Sequence, residues 1–346
     1  MQQTFFTLAL GFTVLILFTV SSYAATYAAF TGPTIYGLAD LSVDYIDNGK
    51  TNEVAVSSNS SRFGVKGDMD LDDQLKAFFQ FEWHVGAAET SDKNLDQRNQ
   101  FVGLKGGFGS LKIGRINSPV KKLGRSVDLF YSRQLGENRS IVAASGFDAR
   151  YNNGIYYTAN TFNNLQWILA YYADPSDKDR IDDNDNDVIS STLTYRADNL
   201  YLGAGYEIIS RTMDDTKGLR LVGSYKMSAY RLVAFYEQAK DVGGTSGADR
   251  NMAGIGWSYT RNKSVFKLTY YAADDLDTTS GSGGSLISAG MDYHYNKNAT
   301  LYVTVGSVSN DDNASFSIVG KGHDDKIATI AGKNNSGLSL GMVFKF

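Results

Sequence analysis

The side chains in this chain that could do chemistry are charged, and their spacing suits an electric field better than a reaction. Arg62, Arg98 and Arg150 carry guanidinium groups that stay protonated at any relevant pH. Lys66 lies beside the first of them, and Asp128 and Glu137 fall between the last two. His84, His294 and His323 are scattered, and no particular serine stands out as the nucleophile that a hydrolase would pair with one of them. The chain has no cysteine, which excludes thiolate metal sites and disulfide frameworks. Asp183-Asn-Asp-Asn-Asp187 resembles the opening of a calcium loop. Val188 stands where that loop needs glycine, however, and Thr194 where it needs a bidentate acid, so a solvated acidic loop is the better reading. No phosphate-loop pattern occurs. The net charge is −4 with no broad basic face, so no nucleic acid partner is expected. No metal and no cofactor is called for.

Strands must position these charges. Successive side chains in a strand point to opposite faces, and segments with that alternation recur from Thr34 to the end. In 34–45, Ile35, Ala39, Leu41, Val43 and Tyr45 oppose Tyr36, Leu38, Asp40, Ser42 and Asp44. In 74–85, Leu75, Ala77, Phe79, Phe81, Trp83 and Val85 oppose Gln74, Lys76, Gln80, Glu82 and His84. Segments 200–208, 218–227 and 285–295 repeat the pattern, and 338–346 has a wholly apolar face ending flush on Phe346. Alternation alone fits a soluble sandwich equally well. The connections separate the two: short turns at 70–73, 106–109, 196–199, 227–229, 261–263 and 296–298 alternate with long polar loops at 47–60, 87–96, 117–149, 173–187, 210–216, 239–250, 273–284 and 309–336. That is the pattern of a transmembrane antiparallel β-barrel of about 16 strands, wide enough to hold an aqueous channel. The 35 glycines, 22 tyrosines and 19 phenylalanines suit tight turns and aromatic girdles.

Residues 1–24 read as an export signal. Phe5 to Val20 is an apolar core, and Ser22 and Ala24 supply small residues before a cut after Ala24. The lead-in Met1-Gln2-Gln3-Thr4 lacks the usual Lys or Arg. An uncleaved anchor is the rival reading, with a core short for a span. Residues 25–346 form one barrel domain.

Several stretches resemble the general (non-specific) porin family of Gram-negative bacteria: Ile35-Tyr-Gly37, Ser61-Arg-Phe-Gly-Val-Lys-Gly67, Leu75 to Glu82, Gln97 to Arg115, and the terminal Gly341 to Phe346. The resemblance implies a 16-stranded trimeric barrel of the cell outer membrane, with short periplasmic turns, long extracellular loops and a third loop folded into the pore. It places Arg62, Arg98 and Arg150 on the wall of the constriction, with Lys66 beside them and Asp128 and Glu137 facing them from the third loop. The wall lysine that some members carry in the first strand is Leu38 here, and the Pro-Glu-Phe-Gly loop tip of many members is missing. The alternation agrees in part: Arg62 is out of phase with Phe63 and Val65, Arg98 with Phe101, and Arg150 with Ile155 and Tyr157, so all three arginines should face the lumen. Arg115 shares a face with Leu111 and Ile113, which makes it a trimer contact, with Glu89 of a neighbour as its partner by resemblance. Phe346 would be the signal read by the barrel-assembly machinery.

The function implied is a water-filled pore for passive diffusion of ions and small hydrophilic solutes. Arginines on one wall and an acid opposite set up a field across the passage, and selectivity follows the sign of the lining. Basic groups outnumber identifiable acids here, which favours anions. The alternatives are a substrate-specific anion channel of the same fold, or a barrel enzyme. Outer-membrane lipid and lipopolysaccharide are the expected surroundings, and the protein is not expected to be an enzyme.

Overall fold

Valine, tyrosine and phenylalanine alternating with small or polar residues favour extended chain with one wet and one greasy face. The computed structural model, which describes residues 32–88, 94–175, 186–324 and 327–346, is built almost wholly from such strands. The expected export signal and Glu89 lie outside the described residues. The first strands are β1 (Thr34–Asp47), β2 (Asn52–Ser58), β3 (Arg62–Asp70), β4 (Lys76–Val85), β5 (Leu95–Gly106) and β6 (Gly109–Asn117). A long third loop comes next, holding α1 (Pro119–Arg125) and the short turn of helix α2 (Arg139–Val142). Beyond it lie β7 (Arg150–Thr158), β8 (Leu165–Tyr172), β9 (Val188–Ala197), β10 (Leu200–Ile209), β11 (Thr216–Met227) and β12 (Tyr230–Lys240). The chain ends with β13 (Arg250–Arg261), β14 (Ser264–Ala273), β15 (Gly284–His294), β16 (Ala299–Asn310) and β17 (Asn335–Lys345).

Each strand pairs antiparallel with its sequence neighbours, and β17 pairs with β1 from Leu38↔Lys345 to Asp47↔Ser336, closing the sheet. The seventeen segments make a sixteen-stranded barrel because β2 and β3 are two halves of one strand. Both pair with β1. Leu41 faces Ser58 and Leu38 faces Arg62, so the second strand carries one extra residue around Ser60, which has a positive φ of 57°. This is a β-bulge.

The expected first long loop over 47–60 is instead a four-residue turn followed by β2. Asn48 shapes the turn, its Oδ1 accepting from the backbone N–H groups of Lys50 at 3.0 Å and Thr51 at 2.8 Å. Val54 and Val56 then alternate outward like any barrel strand.

The faces fall as the alternation predicts. Leu338, Leu340, Met342 and Phe344 are exposed on the outside, while Ser339 and Val343 are buried inside. Outward aromatics stack near the short turns: Tyr230 on Tyr259 at 5.0 Å, Tyr259 on Phe266 at 6.4 Å, and Phe344 on Phe346 at 6.4 Å. Such a girdle marks a membrane interface.

The hydrophobic core is the filling between the third loop and the inner wall. Ser118 caps α1, its Oγ accepting from Lys121 N–H at 3.1 Å, and Pro119 begins the helix. Gly203 and Gly205 on β10 leave the space that Leu123 and Val120 fill. Buried Arg220 of β11 donates to Val120 O at 2.9 Å and to Glu237 at 2.6 Å, and Arg231 donates to Ser126 O at 2.8 Å. At the middle of the loop, Arg133 bridges Asp40 at 3.3 Å and Asp292 at 3.1 Å, its guanidinium over the Tyr302 ring. Asp148, at the end of the loop, pairs with Arg139.

Removing Arg220 leaves Glu237 buried without its cation, a loss of roughly 3–5 kcal/mol. Arg220→Met is expected to lower the temperature at which the barrel loses its heat-modifiable gel mobility and to raise open-channel current noise. Unchanged mobility and noise would mean that the third loop does not depend on this anchor.

Candidate functional site

The wall charges converge on one carboxylate. Glu82 of β4 accepts from Arg98 Nε at 2.7 Å and from the Tyr36 hydroxyl at 3.1 Å, with Arg62 Nε at 3.7 Å. Arg98 reaches it through a second bulge. Phe81 faces Gln100 and Trp83 faces Gln97, so β5 spends an extra residue opposite Glu82 and turns both Arg98 and Asn99 inward. Asn99 Oδ1 accepts from Arg150 Nε at 3.2 Å and from Asn117 N–H at 3.0 Å. A third irregularity lies between Gly114 and Ile116 of β6, which face Gly154 and Tyr151 of β7, just beyond Arg150. The structure therefore brings Arg62, Arg98 and Arg150 together on one wall, with Lys66 Nζ 5.1 Å from the Tyr36 ring toward the short-turn rim. Parity sets Phe101 opposite to Arg98. The bulge breaks that parity, and Phe101 packs inward against the buried cluster that includes Ile116 and Tyr156, its ring 6.2 Å from that of Phe78.

The two acids of the third loop lie elsewhere. Asp128 is buried in the loop itself, accepting from Phe130 N–H at 2.9 Å and Asn138 N–H at 3.2 Å. Burial, then the charge of Glu137, push its carboxyl up to about 7. Glu137 is also buried, 3.5 Å from Arg139, and burial raises it too. Neither side chain is placed opposite the wall arginines across open lumen. Arg115 lies on the outer surface near exposed Phe81, Val102 and Ile113, its guanidinium donating to Asn152 Oδ1 at 2.6 Å. Phe346 seals the seam by two backbone bonds with Gly37, at 2.9 and 3.2 Å. In the acidic run, Asp187 anchors the start of β9 by accepting from Asp174 N–H at 2.9 Å.

What faces the arginines is the eighth loop, between β16 and β17. Together with the wall and the third loop it bounds a cavity of about 380 Å³ lined by Arg98, Lys121, Arg125, Arg139, Arg150 and Lys321, against the carboxylates Asp96 and Asp324. Burial lowers the Lys121 ammonium well below the usual lysine range. The sequence alone suggests a solvated Lys121 and a polar excursion for the eighth loop. The apolar stretch Phe316-Ser-Ile-Val319 is the available signal that this loop turns inward, since a loop in water gains nothing from burying Phe316 and Ile318.

A sequence profile described as Gram-negative porin matches residues 11–313. The chain belongs to that family. Its curated relatives include the major outer membrane protein P.IB of Neisseria meningitidis, 37% identical over 110 residues, covering 29% of this chain and 33% of that protein. The Neisseria gonorrhoeae protein of the same name is 34% identical over 137 residues, covering 37% and 38%. The match thus spans about a third of those relatives' length. Among solved structures, an anion-selective porin from Comamonas acidovorans superposes with a TM-score of 0.81 at 22% identity, covering 91% of this chain and 99% of that one. Salmonella typhi OmpF gives 0.70 at 16%, covering 91% and 97%. At these identities the likeness shows the fold. This porin is an outer-membrane barrel that carries exposed apolar residues on its outside.

Glu82 holds the wall arginines of this porin and also offsets their charge. One unit charge acting at about 7 Å through water-like dielectric is worth about 0.6 kcal/mol. The anion gains and the cation loses that amount, so Glu82→Gln is expected to raise the anion-to-cation permeability ratio about sevenfold, read from the reversal potential in a salt gradient. An unchanged potential would place Glu82 and its two arginines outside the conducting path.

Proposed function

We propose that this porin is a water-filled channel for passive diffusion of ions and small hydrophilic solutes, with a preference for anions. One observation carries the reading: the luminal acids are largely neutralised, and the cations are not. Asp40, Asp292, Asp148, Glu237 and Glu82 each sit within ion-pair distance of an arginine. Arg125, Arg150 and Lys321 line the cavity with no carboxylate at that distance among the described residues. A passage with such a lining concentrates anions and depletes cations. A channel dedicated to one anionic substrate is the second reading, favoured by the crowding of Arg98, Arg125, Arg139, Arg150 and Lys321 around about 380 Å³. Catalysis is not part of the proposal.

The assembly we propose is a homotrimer. A Vibrio cholerae OmpT structure described as a trimer form shares the fold, with a TM-score of 0.67 at 16% identity. Arg115 on the outer face, costly in lipid, is better placed against a neighbouring subunit, with Glu89 as its proposed partner. Residues 1–24 are proposed as a cleaved export signal, Phe346 as the mark for the barrel-assembly machinery, and lipid with lipopolysaccharide as the surroundings of the trimer.

Planar-bilayer recording tests the reading. Ohmic steps closing in threes and an anion-side reversal potential are expected. Arg98→Ser and Arg150→Ser should each lower the anion-to-cation ratio about sevenfold, and together about fiftyfold, by the same Coulomb estimate. A potential unmoved by the double variant would remove both from the constriction, and block by micromolar solute would favour the dedicated channel.

A further inference from the structure

The eighth loop does not merely lean inward; it is fastened. Ile318 and Val319 are buried against the third loop, where Val319 bridges Leu135 and Gly136 N–H donates to Ile318 O at 2.9 Å. Gly320 N–H then donates to Gln134 O at 2.7 Å, and Gly322 N–H to Gln134 Oε1 at 2.9 Å. Beyond this the chain reaches the bulge between β2 and β3. Ser60 N–H donates to Gly322 O at 2.9 Å, Asp324 N–H donates to Ser58 O at 3.2 Å, and His323 forms an antiparallel bridge with Asn59. Two side-chain contacts finish the attachment. His323 Nε2 lies 2.8 Å from Asp44 Oδ2, both side chains fully buried, and His84 Nε2 lies 3.0 Å from Asp324 Oδ1. The fit is close enough that a Cβ at Gly322 would overlap the Ser60 hydroxyl, and one at Gly320 the Glu137 carboxylate.

These contacts are of two kinds. The burial of Ile318 and Val319 and the bonds of Ile318 O, Gly320 and Gly322 to Gln134 and Gly136 hold the loop to the third loop, while the bonds of Gly322, His323 and Asp324 to β1, to β4 and to the bulge between β2 and β3 tie its tip to the barrel wall. The tip is the part that narrows the passage, because Lys321, Gly322, His323 and Asp324 all line the cavity. We propose that residues 320–324 are a second, releasable jaw of the constriction, latched by His323–Asp44 and His84–Asp324. Releasing the latches widens the passage while the barrel and the third loop stay folded. The jaw rests on the channel reading for its effect on current, but its attachment is testable without current.

The chain has no cysteine, so one introduced pair reads cleanly. Asn59 and His323 are direct bridge partners, and paired antiparallel residues lie within the reach of a disulfide. The Asn59→Cys/His323→Cys porin replaces the histidine latch with a reducible one. Oxidised, it is expected to conduct like the native porin and to resist trypsin after Lys321. Reduced, it is expected to conduct at least about one and a half times more, with greater noise, and to be cut after Lys321. Asn59→Cys alone controls for the lost asparagine bonds, and His84→Ala should give an intermediate conductance. Equal conductance and equal trypsin resistance in the two redox states would overturn the jaw. Redox-dependent cleavage in a protein that does not conduct, even as wild type, would sink the channel reading and leave the releasable tip standing. Redox-dependent cleavage with unchanged conductance would show that the tip moves without gating, and the jaw fails.

Discussion

Lipid offers backbone N–H and C=O groups nothing to bond to, and an unpaired one costs several kcal/mol. A strand can enter that medium only if both its edges are occupied. The pairing of β17 with β1 meets this requirement, and the rest of the structure depends on it. Once the sheet is closed, every strand has an outside and an inside. The outside must be apolar because it meets acyl chains. The inside is then the only place for charge, and the arginines, acids and folded loops all compete for that volume.

The inside is organised as paired charges around an unpaired remainder. Arg220 with Glu237, and Arg133 with Asp40 and Asp292, fix the third loop at its start and at its middle. Each of these pairs cancels most of its own far field. Glu82 partly cancels Arg62 and Arg98. What remains uncompensated is the set of cations around the cavity, carried by the wall, the third loop and the eighth loop together. A partner within about 4 Å, where Coulomb attraction outweighs thermal energy, quiets the far field of a charge, so Arg98 acts on the passage only through what Glu82 leaves uncancelled.

The fold was legible where alternation was uninterrupted. Leu338 to Phe346, and Leu41 to Tyr45, have the faces that parity assigns, and the short turns mark one rim correctly. Legibility failed at bulges, because one inserted residue flips every side chain beyond it. Arg98 faces the lumen although Phe101, three residues on, does too. No spacing rule gives both without the extra residue opposite Glu82. Asp128 and Glu137 fall within the loop that enters the pore, but their direction depends on how that loop coils, and Asp128 turns back onto its own backbone. The inward eighth loop was signalled only by Phe316, Ile318 and Val319. An apolar triplet in a polar stretch says that something is buried without saying against what.

The seam between β17 and β1 also sets an order of events. Leu38 and Lys345 pair across almost the whole chain, about 300 residues, whereas each hairpin elsewhere in the barrel joins strands through a connection many times shorter. Closing a loop of that length costs about 5 kcal/mol in chain entropy by the logarithmic law, a few kcal/mol more than a tight hairpin. The final bond of the barrel is therefore its slowest, and until it forms β1 waits with an open edge. The two backbone bonds between Phe346 and Gly37 lie at the very end of that seam. Phe346, by bonding Gly37, thus covers part of the edge that the first strand would otherwise leave open, so the seam strand acts as the clasp of the barrel.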